Sequence, residues 1–162
     1  MNKMKLWIIY REEIVISKAI AEMIQDRLED YLEVSVGTAS KTDPLSLADE
    51  ELDFMIIGDI IGEKAPSLEI QNWVLRYREN SILSNKELQA LSGFYVSLTE
   101  VENDSIWIEF LRNNIKAKLI FPPILCLKLK MSDLPVEIGA LEIVKDYSND
   151  FIEYLLNKSN KK

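Results

Sequence analysis

Apolar side chains run almost without interruption from Met4 to Tyr10, the pattern of a strand buried on both faces. From Ser17 the period changes. Ile20, Met23, Ile24 and Leu28 form one helical stripe, while Lys18, Glu22, Gln25 and Asp26 fall outside it. Leu32 to Val36 reads as a second strand. A polar connection follows, with a helical turn around Ser46 to Glu51. Asp53 to Gly58, DFMIIG, is the clearest buried strand. The stretch from Asp59 to Pro66 reads as a loop, after which Ser67 caps a helix carrying Ile70, Trp73, Val74 and Tyr77.

The second half continues the alternation. A short helix is expected near Asn85 to Leu88, then a strand over Ser92 to Leu98, a loop from Thr99 to Asp104, and a helix with Ile108, Leu111 and Ile115. Ala117 to Phe121 is expected as the fifth strand. Beyond Pro122 and Pro123, ILCLKLKM alternates in the manner of an added edge element with one wet face. Asp146 to Asn157 closes the chain as a helix with Phe151, Ile152 and Leu155 inward, and residues 157–162 form a Lys-rich tail expected to fray. Strands alternating with helices predict a parallel sheet covered on both faces, in a single domain over residues 1–162. Ligands of such sheets bind beyond the strand C-termini. The loops Arg11 to Ile16, Asp59 to Pro66 and Thr99 to Asp104 are therefore the places to look.

Composition removes several kinds of chemistry. The chain has no histidine, which excludes Ser-His-Asp and Cys-His arrangements and every histidine-ligated metal. Its single cysteine, Cys126, excludes an internal disulfide, a CxxC redox pair and a Cys-ligated cluster, and its place between Leu125 and Leu127 reads as structural. No catalytic residue and no metal ligand set is expected. Any redox work would have to be carried by a bound organic cofactor. With 19 Lys and Arg against 27 Asp and Glu the net charge is −8, unfavourable for nucleic acid or an anionic membrane. Neither a membrane span nor a signal peptide is recognisable, so the cytoplasm is the expected location.

The opening Leu6 to Leu28 resembles the flavodoxins, particularly flavodoxin-like domains of the protoporphyrinogen oxidase type. Tyr10 falls on the aromatic that often ends the first strand, and Ala21 and Ile24 on apolar helix positions. DFMIIG is similar to the third strand, and Lys64 to Ser67 to the lysine-proline stretch after it. The resemblance covers most of the chain to Leu98. It implies a three-layer α/β/α sandwich with a five-stranded parallel sheet in the order 2-1-3-4-5. It also implies FMN as cofactor and electron transfer as activity, with Tyr10, Arg11, Ser17, Gly58, Asp59, Thr99 and Trp107 as the FMN-binding positions if FMN binds.

The departures from the family lie at the phosphate loop, which has the form T/S-x-T-G-x-T. Glu12 replaces the first hydroxyl, Ile14 the threonine and Val15 the glycine, and only Ser17 keeps a hydroxyl. Such a loop needs backbone N–H groups and small side chains at a helix N-terminus, and two adjacent carboxylates repel a dianion. Receiver domains share the strand order, but their acceptor aspartate would fall on Gly58 and their lysine-proline pair on Phe121-Pro122. The expectation is a flavodoxin-like protein with a degenerate FMN site and no bound cofactor, acting through protein contacts. The alternative is an FMN-dependent electron carrier or flavoprotein oxidoreductase. Ile14, Val15, Ile16, Ile60 and Ile61 are expected to meet at the crevice mouth, as cavity filler, as a patch for a protein partner or self-association, or as the lining of a pocket for an apolar or flavin-like ligand.

Overall fold

The computed structural model describes residues 3–13, 15–62, 65–97, 105–120, 125–128 and 138–159. Five parallel strands stand in the order β2-β1-β3-β4-β5: β1 (Lys5–Tyr10), β2 (Glu33–Thr38), β3 (Phe54–Ile61), β4 (Ala90–Ser97) and β5 (Leu125–Lys128). The helices between and after them are α1 (Val15–Leu28), α2 (Pro44–Asp49), α3 (Leu68–Leu83), α4 (Ser105–Asn114) and α5 (Ile138–Ser159).

Alternation along the strands divides the core into two layers. Leu6, Ile8, Phe54, Ile56, Phe94 and Val96 face α1 and α5, where they meet Ile20, Ile24, Phe151 and Leu155. Ile9, Met55, Ile57, Leu91 and Tyr95 face α2, α3 and α4, where they meet Leu47, Trp73, Val74, Trp107 and Leu111. A chain buried on both faces must be apolar at nearly every strand position, and this explains why β1, β3 and β4 read as continuous apolar runs.

The helix stripes expected over α1 and α3 are the buried ones, and Ser67 caps α3 by accepting from the Ile70 N–H at 3.3 Å. Asp43 does the same for α2 through the Leu45 N–H, with Pro44 at its first position. Three expectations are corrected. β3 does not end at Gly58 but runs to Ile61, because Asp59, Ile60 and Ile61 keep pairing with Tyr95, Val96 and Ser97. Asn85 to Leu88 is not a helix; α3 ends in a turn in which Asn85 adopts φ 54°, the left-handed conformation that asparagine tolerates.

The fifth position in the sheet is taken by Leu125–Lys128, pairing with Phe94 to Ser97, and not by Ala117 to Phe121. Within the earlier segment Ala117 bridges to Leu88 and Ile120 to Leu91, and Phe121 lies outside the described residues. Prolines 122 and 123 lack an N–H, so one continuous ladder cannot run through both segments. The expected tail over 157–162 lies partly beyond the described residues, and α5 itself continues to Ser159.

Two glycines are required by packing. A Cβ at Gly58 would stand 2.3 Å from Phe94 Cζ, and one at Gly93 would stand 2.6 Å from Trp107 Cη2 and 2.7 Å from the Ile57 carbonyl oxygen. The second obstacle is backbone and cannot rotate away. Gly93→Ala is therefore expected to cost about 1–3 kcal/mol in urea unfolding. Gly62→Ala, where no atom lies within 4 Å, should leave stability the same or slightly higher.

Candidate functional site

In a parallel sheet every strand ends on the same edge, so β1, β3 and β4 all end there and α1, α3 and α4 all begin there. Arg11 continues the ladder past Tyr10, its N–H donating to the Gly58 carbonyl at 3.0 Å. Its guanidinium then lies across the end of β3. Nη1 donates to the Ile60 carbonyl at 3.0 Å, Nη2 to Glu13 Oε1 at 2.5 Å, and Nε stands 3.7 Å from Glu69 Oε2 on α3. One cation is thus held between two carboxylates, with each of its three nitrogens facing a protein oxygen.

Beneath this clasp lies Asp59, fully buried on the α3/α4 face of β3. Oδ1 accepts from the Ile60 N–H at 2.8 Å. Oδ2 accepts from the Ser67 N–H at 2.9 Å and from Trp107 Nε1 at 3.1 Å. The carboxylate therefore joins the end of β3 to the start of α3 and to α4. Burial raises its pKa, and the hydrogen bonds from Ser67, Trp107 and Ile60 only partly oppose the rise. Trp107 packs edge-on against Tyr95 at 5.2 Å, above Gly93.

The other expected FMN positions are placed as follows. Tyr10 is buried in the layer beneath α1, its phenol pKa raised by burial and then by Glu12 and Glu22. Gly58 lies under the Phe94 ring. Ser17 is buried in the first turn of α1, and its Oγ has no hydrogen-bond partner among the described residues. Trp107 stands in the core, not at a crevice wall. Thr99 and Ile14 lie outside the described residues.

The apolar cluster expected at the crevice mouth is corrected in its membership. Ile60 and Ile61 belong to β3 and are buried, because the strand outlasts Gly58. Ile16 is half-buried against the α1-side core. Val15 is 84% exposed and fills no cavity. Two residues that the sequence reading passed over stand with it at this edge: Leu68, 71% exposed, and Ile106, 51% exposed, each in the first turn of its helix. Their signal was available, since both fall out of phase with the buried stripes of α3 and α4.

Beside Glu69 a cleft of about 450 Å³ opens between the segment after β2 and α3, bordered by Lys41, Asp43, Trp73 and Arg76. Its charges balance. Among the described residues no group of three or more His, Cys, Asp or Glu is placed to hold a metal ion, and no helix is long and apolar enough to cross a membrane.

The architecture superposes on those of solved flavodoxins. The chain has a flavodoxin-like fold. A flavodoxin from the domain Archaea superposes with a TM-score of 0.70 at 19% identity, over 94% of this chain and 99% of that one. The oxidised flavodoxin 2 of Bacillus cereus gives 0.67 at 21% identity, over 93% and 99%. Rubredoxin:oxygen oxidoreductase from Desulfovibrio gigas gives 0.71 at 15% identity, over 97% of this chain but 38% of that larger one. No family model matches the sequence, and no curated protein matches it.

Removing the Asp59 carboxylate would leave three donors without their acceptor. Asp59→Ala is expected to lose about 2–5 kcal/mol in chemical denaturation. The pH dependence has a definite sign. With its folded pKa above the ordinary 3.8, Asp59 contributes stability that is complete below 3.8 and is lost as pH rises through the folded value. The stability gap between the native chain and Asp59→Asn should therefore narrow as pH rises through that window, as followed by thermal melts across a pH series.

Proposed function

We propose that this chain is a flavodoxin-fold protein whose FMN site is degenerate and which works through protein contacts at the carboxyl end of its sheet. The observation that carries the reading is the Arg11 clasp together with the residues around it. A phosphate dianion at the start of α1 requires free N–H groups, small side chains and positive potential. This donor set does not fit one. Glu12 and Glu13 add two carboxylates, the Arg11 guanidinium is engaged by Glu13 and Glu69, and β-branched Val15 stands where the fold family uses glycine. The aromatic residues near the crevice, Tyr10 and Trp107, are committed to the core and offer no wall for a flavin ring.

Val15, Leu68 and Ile106 supply what the contact reading needs. They open three helices at one edge of the molecule and expose apolar side chains there. Exposed apolar side chains at one sheet edge are available to a protein contact, either with another chain or with a second copy. Single exposed residues contribute little to folding, so Val15→Ser, Leu68→Ser and Ile106→Ser together should shift unfolding by no more than about 0.5 kcal/mol each. Association in sedimentation velocity, of the chain with itself or with a co-purified partner, should be lost. Association that survives the three substitutions would overturn the contact reading.

The second reading is an FMN-dependent electron carrier, favoured by Ser17. A buried hydroxyl in the first turn of α1 with no partner among the described residues is a costly feature that a bound phosphate would relieve. Desalted protein is expected to be colourless and to leave the fluorescence of added FMN unchanged. Saturable quenching or a yellow preparation would establish the second reading instead. Glu12→Ser, Ile14→Thr and Val15→Gly together restore the hydroxyls and the glycine and remove one like charge. Fluorescence titration of that variant should show an FMN affinity gain of roughly two decades, as expected for two recovered contacts.

A further inference from the structure

The amino edge of the sheet, opposite the crevice, has the reverse electrostatic character. There the ends of α3 and α4 come together over a cleft of about 340 Å³. Four of the bordering side chains are cations, Arg78, Lys86, Arg112 and Lys116, and among the described residues no carboxylate borders it. This concentration occurs in a chain of net charge −8. Among the described residues none of the four is ion-paired, and Glu79 and Glu87, although adjacent in sequence, do not line the cleft. Two helix C-termini meet here and attract cations, but each carries only about half a negative charge. Four positive charges exceed that by roughly three.

The backbone holds these groups in place. The Lys86 N–H donates to the Ser81 carbonyl at 2.9 Å and the Asn85 N–H to the Ile82 carbonyl at 3.1 Å, closing the end of α3. The turn after α4 is bonded to the turn after α3 through Leu88 N–H to Lys116 O and Lys118 N–H to Leu88 O, both at 3.0 Å. Arg78 Nη1 reaches across to Asn114 Oδ1 at 3.0 Å, so the two helix ends are tied by a side chain as well. Buried Ile115 lies at the base. Asn85, Asn113 and Ser81 place neutral hydrogen-bonding groups among the cations, and Ile82, 63% exposed, provides an apolar edge.

We propose that this cleft binds a phosphorylated small molecule carrying at least two negative charges. Phosphoryl oxygens satisfy arginine and lysine together, arginine in bidentate fashion. The amide and hydroxyl side chains suit the hydroxyl groups of the ester's organic part, and the volume falls within the range of small-molecule sites. An acidic protein segment would use the same charge but has less need of a recess between two helix ends. The site is independent of the crevice and of its contact role.

The test is a pyrophosphate titration of the full chain at low ionic strength, followed by amide chemical shifts and calorimetry. Saturable binding is expected, with shifts confined to the turns after α3 and α4. Arg112→Gln with Lys116→Gln should weaken it roughly tenfold or more. Neither side chain has a hydrogen-bond partner among the described residues, so the fold should survive, and Lys86→Gln provides a second variant expected to act in the same direction. Lys18→Gln, on the distant face of α1, should leave binding unchanged. Absence of saturable shifts, or equal affinity in the native and substituted chains, would overturn the proposal. Tighter binding of a hexaglutamate peptide than of pyrophosphate at these turns would also overturn it and assign the cleft to an acidic protein segment.

Discussion

The carboxylate of Asp59 is the point at which three separate parts of this molecule are made to agree. It receives the N–H of the residue that follows it in β3, the N–H of the residue that caps α3, and the indole N–H of Trp107 from α4. A buried ion of this kind is costly, since desolvation amounts to several kcal/mol. The raised pKa says that the three hydrogen bonds do not fully offset that loss. Asp59 therefore acts less as a source of stability than as a fixed acceptor that sets where β3 stops and α3 and α4 begin. Once Trp107 is placed by it, Gly93 and Tyr95 must conform, one by yielding space and the other by an edge-on ring contact.

The same junction shapes the crevice. β3 continues three residues beyond Gly58, and Arg11 lies over that extension, anchored to the Ile60 carbonyl. Its charge is then spent on Glu13 and Glu69. The carboxyl edge of the sheet is left with a neutralised guanidinium, a buried Ser17 hydroxyl with no hydrogen-bond partner among the described residues, and exposed apolar side chains at Val15, Leu68 and Ile106. The opposite edge gathers Arg78, Lys86, Arg112 and Lys116 with no ion pair to any of them among the described residues. Acidic overall, the chain concentrates unpaired positive charge in one recess away from the rim where apolar groups are exposed. That separation gives the two ends of the sheet different capacities for recognition.

Much of the fold was legible because it rests on local periodicity. The continuous apolar runs of β1, β3 and β4, the stripes of α1 and α3, and the Ser67 cap each follow from a short window of chain. The family resemblance at Leu6 to Leu28 supplied the strand order, which periodicity alone does not contain. The candidate site was legible only through the resemblance, as glutamates and a valine at positions where that resemblance expects hydroxyls and glycine.

What the tertiary structure decided was every feature set by neighbours distant in sequence. Asp59 and Trp107 are 48 residues apart, and no local pattern links a strand aspartate to a helix indole. Whether Ala117 to Phe121 or Leu125 to Lys128 became the fifth strand depended on which could pair with Phe94 to Ser97, a contest that both segments' apolar content left open. Ile60 and Ile61 were taken into β3 by pairing with Val96 and Ser97, while Leu68 and Ile106 joined Val15 only because parallel strands end together. Periodicity encodes which face of an element is buried. Which elements share an edge follows from long-range pairing, and the sites at both edges are made by that pairing.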